Sequence, residues 1–73
     1  MLFRSFLKTW KLGRDGVILE FGGRHAIFLP SVPIEFGWNK KQTMEQLAEK
    51  AGLPASSWME PKARLYLIPG YEV

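Results

Sequence analysis

The stretch Val17-Ile18-Leu19-Glu20-Phe21-Gly22-Gly23-Arg24-His25-Ala26-Ile27-Phe28-Leu29 decides the fold. Its two halves are rich in β-branched and aromatic residues, and the paired glycines between them can take the positive φ that a two-residue hairpin turn requires. A turn at Gly22-Gly23 sets Phe21 opposite Arg24, Glu20 opposite His25, Leu19 opposite Ala26, Ile18 opposite Ile27 and Val17 opposite Phe28. One face of the hairpin then carries Ile18, Ile27 and Leu29, and the other carries Val17, Leu19, Phe21, Ala26 and Phe28. Both faces are apolar away from the tip, so the sheet calls for cover on both sides.

Upstream, Phe3, Phe6, Leu7 and Trp10 fall at i, i+3, i+4, i+7 spacing with Arg4, Lys8 and Lys11 on the opposite side, which predicts an amphipathic helix that Gly13 stops. Gly13-Arg14-Asp15-Gly16 reads as a tight turn into the hairpin. Downstream, Pro30 and Pro33 predict an extended link, because proline biases the residue before it away from helix. Asn39 caps a helix, with Gln42 three residues on completing a capping box. Met44, Leu47, Ala48 and Ala51 form the apolar stripe of that helix, and Gly52-Leu53-Pro54 ends it. Ser56-Ser57-Trp58-Met59 makes one short turn, and Ala63 to Ile68 reads as a third strand stopped by Pro69-Gly70.

The fold class that follows is α+β: a small antiparallel sheet, the hairpin plus one further strand, packed with one central helix and an amino-terminal helix. One helix covers only one face of such a sheet. The second face needs the amino-terminal helix, a second copy of the chain, or another polypeptide.

Composition bounds the function classes. The 73 residues make one domain, with 47% hydrophobic and 14% aromatic residues to build a core. There is no cysteine, hence no disulfide framework, thiol nucleophile or thiolate metal site. That usage fits a cytoplasmic protein. No apolar run approaches the roughly 20 residues of a membrane span. The net charge of +3 is modest and the basic residues are interspersed with acidic ones, so no nucleic-acid partner is expected.

Chemistry-bearing residues are sparse. The single histidine, His25, falls opposite Glu20 near the hairpin tip, where a solvated cross-strand pair is a more ordinary reading than a general base, which needs a positioned second group and a pocket. Glu45, Glu49 and Glu60 stand at no metal-ligand spacing with it. Gly22-Gly23-Arg24 precedes no helix and so belongs to the turn rather than to an anion-binding loop. No catalytic, cofactor or metal residue is assigned.

Four segments together resemble a known family: Gly13-Arg14-Asp15-Gly16-Val17-Ile18-Leu19; Leu29-Pro30-Ser31-Val32-Pro33-Ile34-Glu35-Phe36-Gly37-Trp38; Lys50-Ala51-Gly52-Leu53-Pro54; and Trp58 through Tyr66. In order and spacing they are similar to the carboxyl-terminal part of the AMMECR-one domain, from about Leu12 onward. Residues 1–11 lie outside these motifs, and the chain as a whole, 1–73, reads as a single partial domain of that kind. The resemblance implies an α+β domain with a cleft between two lobes. Its hallmark Leu-Arg-Gly-Cys-Ile-Gly segment is absent here, and Ser31 stands where glutamine is common. By motif match the surface positions are Pro30, Val32, Glu35 and Trp38.

The resemblance carries no settled activity. The expected role is a non-catalytic binding or structural module, completed either by a second copy or by a separately encoded first half of the domain. Two alternatives stand beside it. One is an enzyme or enzyme subunit with Glu35 in a cleft; the other is a peripheral membrane or nucleic-acid binder acting through the basic amino-terminal helix.

Overall fold

The computed structural model describes residues 3–70, and of the amino-terminal helix it describes side chains from Phe6 onward. The expected positions of the Phe3 and Arg4 side chains therefore lie outside the described residues. The chain runs α1 (Phe3–Thr9), β1 (Gly16–Phe21), β2 (Arg24–Phe28), α2 (Ser31–Phe36), α3 (Lys40–Lys50), a 3-10 turn (Ser57–Met59) and β3 (Arg64–Ile68). The three strands form one antiparallel sheet in the order β2-β1-β3.

The hairpin has the register expected from its turn, Val17 to Phe28 through Phe21 to Arg24. Gly22 and Gly23 hold φ of 58° and 80°. β3 adds on the far side of β1, with Gly16 opposite Ile68, Ile18 opposite Tyr66 and Glu20 opposite Arg64.

α3 begins in the capping box read from the sequence. The Asn39 side chain accepts the Gln42 N–H at 2.8 Å, and the Gln42 side chain accepts the Asn39 N–H at 3.0 Å. At its other end Gly52 takes φ +79° and the Leu53 N–H returns to the Ala48 carbonyl at 2.9 Å. The stripe Met44, Leu47, Ala48 and Ala51 is buried.

The link after the hairpin is a helix, not the extended segment expected from its prolines. Pro30 stands at the N-cap of α2, already in helical geometry, and Pro33 is the third helical residue. The first turn of a helix has N–H groups with no intrahelical acceptor, so proline there forfeits no hydrogen bond and its fixed φ suits the helix. Gly37, left-handed, closes α2 as its N–H and that of Trp38 return to Ile34 and Pro33.

The core lies on one side of the sheet only. Val17, Leu19, Ala26 and Leu65 meet Met44, Leu47 and Ala48 of α3, Trp58 of the 3-10 turn, and Phe6 and Trp10 from α1 and its exit. Burying the valine, leucine, methionine and phenylalanine side chains among these contributes about 1.5–3 kcal/mol each. The amino-terminal helix therefore shares the α3 side and does not close the second face. Lys40, in the first turn of α3, holds it there by donating to the Leu7 carbonyl, with its amine 5.9 Å above the Trp10 ring.

Candidate functional site

With both helices on one side, the opposite face of the sheet is left open. The strand registers arrange it in rows across β2, β1 and β3. One row is Ile27, Ile18 and Tyr66; the next, toward the hairpin tip, is His25, Glu20 and Arg64. Ile18 and Ile27 are half-buried and Tyr66 is 44% exposed. This is an apolar band about three strands wide, bordered at one end by the polar row His25, Glu20 and Arg64. His25 and Glu20 are both exposed, and among the described residues no ion pair joins them.

The residues singled out by motif lie on and around α2. Pro30 is buried and supports the helix, Val32 and Trp38 are half-buried, and Glu35 is exposed without an ion pair among the described residues. Trp38 stacks on Phe36 with ring centroids 4.8 Å apart and planes at 15°, and it meets Phe28 at 5.7 Å. Lys50 places its amine 5.0 Å over the Phe28 ring, an arrangement that favours a cation through the ring quadrupole. The structure thus joins Trp38 to an aromatic ledge at the edge of the core. Phe36, 63% exposed, and Ile34, 56% exposed, extend α2 as apolar surface that sequence reading had passed over. Two positions apart, they stand on different sides of α2, a placement that the extended reading of the link does not give.

Asp15 is the one buried carboxylate among the described residues. Its oxygens accept from Arg14 Nε at 2.6 Å, from Arg14 Nη2 at 3.1 Å and from the Lys11 N–H at 2.7 Å. The hydrogen bond from Arg14 holds the Asp15 carboxyl below its ordinary range against the opposing effect of burial, with the Lys11 N–H adding to the lowering. The group is a structural clasp between the exit of α1 and the start of β1. Among the described residues no cluster of three or more His, Asp or Glu side chains is placed to hold a metal ion. No helix there is long and apolar enough to cross a membrane.

These features define a class: a small α+β module with a three-stranded antiparallel sheet, helices on one face, and an apolar second face. The chain belongs to the AMMECR1 family, whose model matches residues 3–70 and so takes in the amino-terminal helix as well as the motifs. Its similarity to Protein MJ0810 of Methanocaldococcus jannaschii is 38% identity over 63 residues, 86% of this chain and 31% of that protein. Protein TK0174 of Thermococcus kodakarensis is 41% identical over 59 residues, 81% of this chain and 29% of that protein. The crystal structure of the uncharacterised protein PH0010 from Pyrococcus horikoshii superposes with a TM-score of 0.84 at 32% identity, over 94% of this chain and 34% of that one. The chain spans about a third of the length of the relatives it matches.

Proposed function

We propose that this chain is a non-catalytic binding module whose open sheet face seats the part of an AMMECR1-family protein that lies outside the match. The observation that carries the reading is the band Ile27, Ile18, Tyr66, which neither α1 nor α3 covers. An apolar sheet face of this kind gains free energy on burial at about 25 cal/mol per Å² of apolar surface removed from water. The relatives supply a source for the cover, since about two-thirds of their length lies outside the match. The surface of Val32, Glu35 and Trp38, standing on Pro30, is a second place for contact with the same partner.

A chimaera tests this. The matched segment of an archaeal relative is replaced by this chain, and Ile18→Lys is introduced both there and in the chain alone. Ile18 is half-buried in the chain, so lysine there costs little, whereas in the chimaera the covered face makes it cost about 2–5 kcal/mol, the range for disrupting a packed aliphatic. Equal costs in the two settings would overturn the reading.

A further inference from the structure

The sheet has two outer edges, and they are treated differently. A two-residue turn makes Phe21 and Arg24 exchange both hydrogen bonds, and the alternation of an antiparallel ladder then directs the backbone groups of Ile27 outward from β2. The Ile27 carbonyl is capped there by the Lys50 amine at 2.7 Å. Arg24 reaches from the same strand to the Ala51 carbonyl at 3.5 Å. The Lys50 side chain thus occupies the β2 edge, and Arg24 ties that strand to the end of α3.

The same alternation makes Ile18 bond to Tyr66 and Glu20 to Arg64, which leaves the N–H and C=O of Leu65 and Leu67 directed outward from β3. Among the described residues no further backbone-to-backbone hydrogen bond uses them. The strand Arg64-Leu65-Tyr66-Leu67-Ile68 pairs with β1 without a bulge and contains no proline, and its one charged residue, Arg64, stands at its first position, away from the centre of the edge.

We infer that the β3 edge pairs antiparallel with the β3 edge of a second copy of this chain, about a two-fold axis at Tyr66. Centred there, Leu65 of each copy lies opposite Leu67 of the other, so every outward group on the pair finds its complement. The two Tyr66 residues meet as a non-hydrogen-bonded pair, and the apolar row Ile27, Ile18, Tyr66 runs on into its symmetry mate. Arg64 lies opposite Ile68, so no like charges face each other across the strands. Each copy carries a net charge of +3, and added salt screens that repulsion and strengthens the pairing. The edge is a different surface from the open face, so failure of this pairing leaves the reading of that face standing.

The test is the solution mass of the full chain over a hundredfold concentration range, together with single-cysteine crosslinking. Mass is expected to rise from 8.4 kDa toward about twice that value. Because the chain has no cysteine, Tyr66→Cys introduces a lone thiol on the two-fold axis. The Cα separation there, about 4.5 Å, suits a disulfide. Mild oxidation is expected to link Tyr66→Cys into dimers at least tenfold faster than Ile27→Cys, which sits on the same face at the capped edge. Leu67→Pro removes an N–H that β1 does not use and is expected to leave a folded monomer. A constant single-chain mass with equal crosslinking rates for the two cysteine variants would overturn the pairing. So would a folded Leu67→Pro chain that dimerises as the parent does. Should Leu67→Pro fail to fold, the cysteine comparison decides.

Discussion

Asp15 Oδ2 accepts the backbone N–H of Lys11 at 2.7 Å, across four residues that turn the chain from α1 into β1. The same carboxylate takes the Arg14 side chain, with the Gly70 backbone, beyond the end of β3, a smaller addition to what holds it ionised. One buried group therefore fastens the exit of α1 to the start of β1. The turn could be read from Gly13-Arg14-Asp15-Gly16, but not that its aspartate would be buried.

Acid should weaken the fold through Asp15. Its carboxyl is lowered in the folded chain, first by the Arg14 hydrogen bond, so its contribution is fully present above the unfolded value of about 3.9 and is lost as pH falls through the folded value. Asp15→Asn is expected to cost about 1–3 kcal/mol at pH 7, and the gap to the parent should narrow below about pH 4. Urea midpoints measured at pH 7 and pH 3 check this. A gap that does not change with pH would mean the charge is not what matters.

Phe6 and Trp10 are 0% and 1% exposed, in one core with Leu19 and Leu47. Truncating either to serine is expected to cost about 3–5 kcal/mol, most of the stability a domain of this size has. Loss of the cooperative thermal transition by circular dichroism is the expected outcome. A chain that melts as the parent does would show that α1 is dispensable to the core.

Gly52 ends α3 at φ +79°, and a Cβ there would stand 2.8 Å from Arg24 Nη1. The guanidinium is the far end of a flexible side chain and can yield, whereas the left-handed backbone cannot relax. Gly52→Ala should therefore cost about 1–2 kcal/mol from the backbone term, lowering the melting temperature by about 4–16 °C. A change within error would show that the cap rearranges freely.

Asn39→Ala removes one half of the capping box and leaves the Gln42 N–H to solvent. The expected loss is about 1 kcal/mol, read as a shift in the denaturant midpoint with unchanged slope. Asn39→Asp, which retains an acceptor, should recover most of it.

Local chemistry decided the hairpin register and both ends of α3 from sequence, because a two-glycine turn and a reciprocal cap each close within a few residues. The α+β class was legible for the same reason, and the AMMECR-one resemblance was legible from the order and spacing of motifs, whichever element each forms. α2 was not, since Pro30 and Pro33 read as breakers until their places in a first helical turn are known. The apolar alternation of the strands showed that both sheet faces need cover, but not which face each helix takes. Only the tertiary structure decided that α1 joins α3, through Lys40 and the packing of Trp10, and that β3 lies beside β1 as an edge strand of the sheet. Those outcomes depend on which long-range burial removes the most apolar surface from water, a comparison among whole arrangements that no single segment contains.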